Sequence, residues 1–552
     1  MTSPHDPEAT ARPDHRWRAL LVLATALSMI VIDGTIVSVA LPVIIDDLGL
    51  DLIDAQWVNA SYAVVFAALL LTTGRLGDRL GRRKMLVIGV LLFTVGSLLA
   101  AVAGGAEALI GARVVQGLGG ALVLPATLST VNATFRGKDR VTAFAIWGAV
   151  ISGMAAVGPL LGGWLTTSFT WPWIFLVNLP IGALVLVGTF LWVPETRAHI
   201  TEPGLDVLGL LLSAGGFGAL VFGLIEGQTL GWWTPDTALS IFGLTWSTDA
   251  PVSVVPVVLA LAVIMLVGFV AWERHRARVG RSALLDLSLF SIPTFRWGNL
   301  TAMTVAVGEF GIIFVLPLFL VNVLGLSTMG AGLVLAAMAL GAFFSGAMAR
   351  HLAAAVGAPM VVVIGLLLEV VGVIAVAFTV TPTTSAWLLA ALLAVYGLGL
   401  GLASAQLTGT TLSEVPAELS GQGSATQSTA RQVGSALGTA FVGAALAVGL
   451  ATAVPAAIDE VADVPAGVPA GVSEQLTTAT TDSAGSVISE LRSEGTDSPA
   501  GDATPQVVDA LSEGFADATR ASLLVAAAFL FLGLAGSGLV VRASRREVVT
   551  KP

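Results

Sequence analysis

Asp33 and Arg113 each stand inside an apolar run, where a charge needs something to answer it. An ionised carboxylate in hydrocarbon is costly unless it is paired, hydrated or protonated. Asp33 is therefore a candidate proton carrier or counter-charge for a cation, or a hydrogen-bonded structural carboxyl. At the helical rise per residue, Asp33 lies about 6 Å and Arg113 about 9 Å from the same membrane face. The two are at similar depth, and Asp33 is a candidate partner for Arg113. Three further acids bear on the chemistry. Glu309 and Glu369 fall near the middle of apolar runs, and Glu226 closes another. Each could be a snorkelling or hydrogen-bonded acid. Glu309 could also neutralise a cationic substrate or carry a second proton.

Other chemistries find no residues to perform them. There is no Cys, hence no disulfide, thiolate metal site or cysteine nucleophile. No nucleotide-binding P-loop appears, and the five His are scattered without metal-ligand spacing. An ion gradient is the remaining energy source, so no cofactor and no metal are expected and the chain does not read as an enzyme.

The elements that must position these acids are long apolar helices. Of 552 residues, 55% are hydrophobic and only 11% charged, with a mean hydropathy of +0.90. About fourteen runs of about 20 residues match a hydrocarbon core of about 30 Å. They fall near 17–40, 55–74, 85–104, 107–133, 142–167, 173–193, 204–224, 252–272, 298–322, 327–349, 359–379, 386–411, 426–450 and 520–541. A water-soluble enzyme, a nucleic-acid binder and a disordered chain are excluded. The first run is a full span, which reads as an uncleaved helix and not a secretory signal.

Arginine placement orients the spans. Arg75, Arg79, Arg82, Arg83, Lys84, Arg136, Lys138, Arg140, Arg274, Arg276, Arg278 and Arg281 lie in alternate connections, with Arg542, Arg545 and Arg546 in the tail. The intervening connections hold Asp46, Asp47, Asp51, Asp54, Glu107, Asp236 and Asp249. The positive-inside rule then puts both termini in the cytoplasm, which an even number of spans requires. Most of the 13 Trp lie near span ends, as an interfacial belt would.

Four motifs carry more than hydropathy. GRLGDRLGRRK (74–84) spaces Gly74, Gly77 and Gly81 around Asp78, Arg79, Arg82 and Arg83. The positive-inside rule accounts for the arginines, but not for the glycine spacing or the single acid. A weaker copy, GAMARHLAAAVG (346–357), follows the tenth span. IDGTIVSVALP (32–42) holds Asp33, and ARVVQGLGGA (112–121) holds Arg113 and Gln116. GAVISGMAAVGPLLGGW (148–164) sets Gly148, Gly153, Gly158, Gly162 and Gly163 along one span with Pro159. Small residues at that spacing allow close helix packing, whereas the Gly158-Pro159 break is more than packing needs.

Together these strings resemble the major facilitator superfamily, and within it the fourteen-span drug:proton antiporter family. WPWIFLVNLP (171–180), with Pro172 in place of an Arg, and GQGSATQSTARQVGSALG (421–438) extend the likeness. The resemblance implies an all-α integral membrane fold of two six-helix halves plus two inserted helices. It implies that Asp78 and Arg82 latch the halves on the cytoplasmic side. It associates Asp33 with proton coupling or substrate binding and Arg113 with proton transfer, and it turns Gln116 toward the cavity. The 148–164 string is similar to a signature of exporters. Gly34 stands where the family usually has a larger residue.

The expected organisation is a tail at 1–16, a six-helix half at 17–193, inserted helices and linkers at 194–281, a second half at 282–541 and a tail at 542–552. Between the last two spans, residues 452–518 hold twelve acids and one base, Arg492, more acidity than the whole chain's net charge of −10. The composition reads as a largely disordered, solvated spacer, except for a short amphipathic helix over 504–517. The expected function is proton-coupled export of small lipophilic or cationic compounds by a plasma-membrane monomer, with substrate, protons and bilayer as its partners and no nucleic acid. Export of an endogenous metabolite, antibiotic or lipid is the alternative, and a non-transporting sensor or scaffold a more distant one.

Overall fold

A computed structural model describes residues 13–550 apart from 136, 198–205, 242–243, 282, 417–418, 460–471 and 499–500. The N-terminal half comprises α1 (Pro13–Leu48), α2 (Leu52–Leu80), α3 (Arg82–Ala101), α4 (Ala106–Thr134), α5 (Gly137–Ser168), the single turn α6 (Trp173–Leu176) and α7 (Asn178–Trp192). Next come α8 (Val207–Ile225), the turn α9 (Gly227–Leu230), a two-stranded ribbon of β1 (Leu239–Ile241) and β2 (Leu244–Trp246), and α10 (Val254–Arg278). The second half comprises α11 (Pro293–Leu318), α12 (Thr328–Val356), α13 (Ala358–Thr379), α14 (Ala386–Leu412), α15 (Ser420–Asp459) and α18 (Thr504–Thr550). The shorter α16 (Val472–Asp482) and α17 (Ser486–Glu494) lie between its last two members.

Among the described residues, thirteen of these helical segments are long and apolar enough to cross a membrane, and α5, at 32 residues, has the length for a fourteenth. Several helices outrun their apolar stretches. The helix of the first span continues to Leu48, and the last span's helix begins at Thr504. Hydropathy measures contact with hydrocarbon, whereas a helix persists while its backbone pairs internally and ends where a cap takes over. Asp51 caps α2 in a reciprocal box with Asp54. Gly81, at φ 114°, separates α2 from α3, and Gly357, at φ 87°, separates α12 from α13. These two turns relate the halves, so the repeat in the sequence pairs Gly81 with Gly357.

Because consecutive spans alternate, the bundle has a basic end, with the arginine-rich turns, and an acidic end. The halves meet along two seams, α5 on α12 and α2 on α15. Both are closely packed at the acidic end. A Cβ on Gly163 would lie 2.9 Å from Met329 Cα, and one on Gly332 would lie 2.6 Å from the Pro159 carbonyl. On the other seam, a Cβ on Gly443 would lie 2.5 Å from the Gln56 side-chain carbon. The largest buried apolar cluster joins both halves at this end and includes Ile36, Leu41, Leu165, Phe319, Leu335 and Leu446. The inserted α8 and α10 pack on one another, with α8 against α2 and α15.

The 452–518 segment departs from the expected spacer. The helix expected at 504–517 is the first part of α18, with Val507, Val508, Leu511 and Phe515 buried. Ahead of it, α17 buries Ile488 and Leu491 in the same apolar cluster as the spans. Arg492 donates to the carbonyls of Asn322 (3.2 Å) and Val323 (3.0 Å), in the π-helical turn that ends α11. Asn322 Nδ2 returns a 3.0 Å bond to the Ala484 carbonyl. Composition averaged over the segment hid these few apolar anchors, which with Arg492 make the described part of it a packed cap.

Candidate functional site: buried charge networks in the two halves

In the N-terminal half, five side chains from α1, α3, α4 and α7 converge. Arg113 and Gln116 are three residues apart on α4 and so share a face. Arg113 Nη1 reaches Asp33 Oδ2 at 2.6 Å and Gln116 Oε1 at 2.8 Å, and its Nε donates to the Val58 carbonyl at 3.2 Å. Its guanidinium lies 4.5 Å from the centroid of the Tyr62 ring, within cation–π range. Gln116 Nε2 donates to Asp33 Oδ1 (3.0 Å) and Ser97 Oγ (2.8 Å). Asn178 Nδ2 donates to the same two atoms at 3.1 Å each. Asp33, Arg113, Gln116, Ser97 and Asn178 are all buried. The network is one anion and one cation, each held by several bonds, which is what a buried ion pair needs to persist.

The C-terminal half answers differently. Glu309 on α11 pairs with Arg431 on α15 at 3.1 Å; the carboxylate is buried while the arginine side chain is 37% exposed. Glu309 Oε1 has no hydrogen-bond partner among the described residues. Glu369 on α13 is fully buried, and neither of its oxygens has a hydrogen-bond partner among the described residues. The hydroxyl of Tyr396 on α14, also buried, is likewise unsatisfied.

Glu226 stands apart from these networks. It lies at the acidic end of α8 and accepts a 2.7 Å bond from Trp57 Nε1, tying the inserted pair to α2. Burial pushes its pKa above the ordinary glutamate value, with Asp51 and Asp54 adding to the rise and the Trp57 bond opposing it.

At the basic end, Gly81 leaves room for the Glu195 carboxylate, whose Oε1 accepts from the Arg83 amide at 3.2 Å. Arg82 Nη1 donates to the Ser129 carbonyl of α4 at 3.0 Å, and Arg83 Nη2 to the Phe190 carbonyl of α7 at 3.0 Å. Gly74 packs on Pro125 and Gly77 on Met85. These bonds and contacts tie the turn to its own half. The Asp78 side chain and the surroundings of Gly148 and Gly153 lie outside the described residues. Along α5, Gly158 and Gly162 pack on Thr35 and Ile36 of α1, and Gly163 on α12.

Reading the sequence brought Asp33, Arg113 and Gln116 together and missed Asn178, Ser97, Tyr62, Tyr396 and Arg431. Asn178 and Arg431 sit inside the two extending strings, where the available signals were a polar residue in an apolar run for Asn178 and the one charge of its string for Arg431. A further cluster at the basic end was also missed. Asp206 caps α8 and accepts from Trp272 Nε1 at 2.8 Å. Arg276 pairs with it at 3.2 Å, and buried Glu273 accepts from the Leu285 amide at 3.2 Å.

Residues 21–439 match the family model of the Major Facilitator Superfamily. The probable actinorhodin transporter of Streptomyces coelicolor is 33% identical over 76% of this chain and 70% of its own. The multidrug efflux pump LfrA of Mycolicibacterium smegmatis is 34% identical over 77% and 79%. The tetracenomycin C resistance and export protein of Streptomyces glaucescens is 32% identical over 75% and 73%. Among solved structures, a bacterial homologue of the human lysosomal transporter Spinster, inward-facing and occupied, superposes with a TM-score of 0.60 at 18% identity. That match covers 97% of this chain and 98% of the other, and establishes likeness of fold.

Proposed function

The chain belongs to the major facilitator superfamily, and on that premise we propose that it exports small lipophilic or cationic compounds, antibiotics among them, in exchange for protons. The observation that carries the reading is the Asp33–Arg113 pair, sealed from solvent where four helices of one half converge. Protonating Asp33 removes the charge that holds Arg113 and leaves a buried cation without its counter-ion. Substrate and proton then act on one network from opposite directions, which is the differential interaction that a two-state exchanger requires. Gln116 and Asn178, hydrogen-bonded to Asp33, report its protonation to α4 and α7. Glu309, paired with a half-exposed arginine, supplies negative charge to a cationic substrate.

The protein works as a plasma-membrane monomer with both termini in the cytoplasm, an orientation supported by the arginine-rich turns of the basic end. With the acidic end outside, the tight α5–α12 and α2–α15 seams correspond to a state closed outward. The Gly158-Pro159 break lets α5 rock on α12 as the seam opens. The Asp78–Arg82 turn acts as a latch between the halves on the cytoplasmic side, released by substrate or proton binding.

The test is a dye-efflux panel in cells, with and without a protonophore, comparing the parent with Asp33→Asn. Efflux of ethidium should collapse in the variant and with the protonophore. Undiminished efflux by Asp33→Asn would overturn the coupling role. A second reading, export of an endogenous antibiotic, is favoured by the two Streptomyces relatives whose names specify one compound each. Competition between actinorhodin or tetracenomycin C and dyes in vesicles separates the two.

A further inference from the structure

The two halves repeat one helix seam at identical spacing. On α3 and α4, a Cβ at Gly89 would lie 2.9 Å from the Gly119 carbonyl, and Gly96 packs on Gln116. On α13 and α14, a Cβ at Gly365 would lie 2.7 Å from the Gly399 carbonyl, and Gly372 packs on Tyr396. Superposing these glycines puts Glu369 at the position of Phe93, a fully buried ring, and Tyr396 at that of Gln116. The packing of this seam asks for an apolar residue, and one half has a carboxyl there instead.

That carboxyl is fully buried, with both oxygens unpartnered among the described residues. An ionised carboxylate in such a place is far costlier than its neutral acid. The charged and titratable groups in electrostatic range of Glu369 are Glu309, Arg431 and Tyr396. From α18, Arg520 faces the same helix two turns away, bonded to the carbonyls of Ala377 and Val380. Arg520 is held by those two carbonyls and by Asp517, whereas Arg431 makes a single 3.1 Å bond, to Glu309.

We propose that Glu369 is a proton-binding site of the C-terminal half, separate from Asp33, with Arg431 as a counter-ion that moves between Glu309 and Glu369. With Glu369 protonated, Arg431 stays on Glu309. When the proton leaves to cavity water, its bonding electron pair remains on the carboxylate oxygen and Arg431 transfers to it. Glu309 is then released to a cationic substrate. Tyr396, whose buried hydroxyl is itself unpartnered among the described residues, is a positioning residue available to donate to the carboxylate once the proton has left. The consequence for transport rests on the reading of the chain as a proton-coupled exporter, whereas the protonation itself does not.

The test is infrared difference spectroscopy of the purified full-length protein in lipid, titrated with pH. The carbonyl stretch of a buried neutral carboxylic acid should be present in the parent and in Asp33→Asn, and absent from Glu369→Gln. Glu369→Phe, which restores the residue of the other half, should fold at least as well and also lack the band. Tyr396→Phe should shift its frequency. A band that survives both Glu369 variants, or disappears in Asp33→Asn while persisting in Glu369→Gln, overturns the assignment. In proteoliposomes, the protons exchanged per ethidium exported should fall in Glu369→Gln, and an unchanged ratio overturns the coupling role. If the parent itself moves no protons with dye, the exporter reading fails while the infrared result still decides the site.

Discussion

Arg113 and Asp33 form an ion pair at 2.6 Å with neither side chain more than 2% exposed. Removing one partner of such a pair leaves a buried charge unanswered, at a cost of about 3–5 kcal/mol, whereas replacing both is often nearly neutral. Asp33→Asn and Arg113→Gln should therefore each lower the thermal midpoint of the detergent-purified protein. The double variant should recover most of that loss while remaining inactive in export. Additive losses in the double variant would mean that the pair does not act as a unit.

The two seams between the halves should open together. Gly163 packs on the start of α12, and Gln56 on Gly443 of the other seam. The chain has no Cys, so Gln56→Cys is a single reporter without further engineering. Gln56 is 1% exposed, and an impermeant maleimide should label that cysteine slowly from the acidic side. Adding Gly163→Leu wedges the opposite seam and should raise the labelling rate several-fold. Unchanged labelling would show that the seams move independently.

The cap over the acidic end hangs on Arg492. Its bonds to the Asn322 and Val323 carbonyls are charge-assisted, each worth about 1.5–3 kcal/mol. Arg492→Ala should release α17 from the π-helical turn of α11 and raise hydrogen exchange across 486–497 well above the parent. Exchange in α3 and α4 should stay unchanged. Protection of α17 that survives the substitution would assign the cap's hold to Ile488 and Leu491.

The spans were legible because hydrophobic length is a local property, and the Asp33–Arg113 pair because depth along a helix follows from counting residues. Azimuth was not legible. Glu309 and Glu369 look alike at mid-span, yet one finds Arg431 and the other finds no hydrogen-bond partner among the described residues, since partners are set by how neighbouring helices are rotated. Arg431 was visible as the one charge of its string and Asn178 as a polar residue in an apolar run, but their targets lie 122 and 145 residues away. The 472–503 cap was misread for a different reason. Its apolar anchors are few, and they gain their burial from α1, α11 and α18, which no window over the segment contains.

Glu226 offers a test of the inserted pair's attachment that depends on pH. Its folded pKa is raised above the ordinary value of 4.5, chiefly by burial. A group with a raised folded pKa contributes stability that is fully present below its unfolded pKa and is lost as pH rises through the folded one. Glu226→Gln keeps an acceptor for Trp57 Nε1 and has no proton to lose. The variant should match the parent in thermal midpoint near the acid limit and exceed it increasingly from there toward neutral pH. The measurement is a pair of melting curves across that range. A constant offset between the two proteins, or one that shrinks with rising pH, would show that Glu226 is charged in the folded state throughout and that the Trp57 bond outweighs its burial.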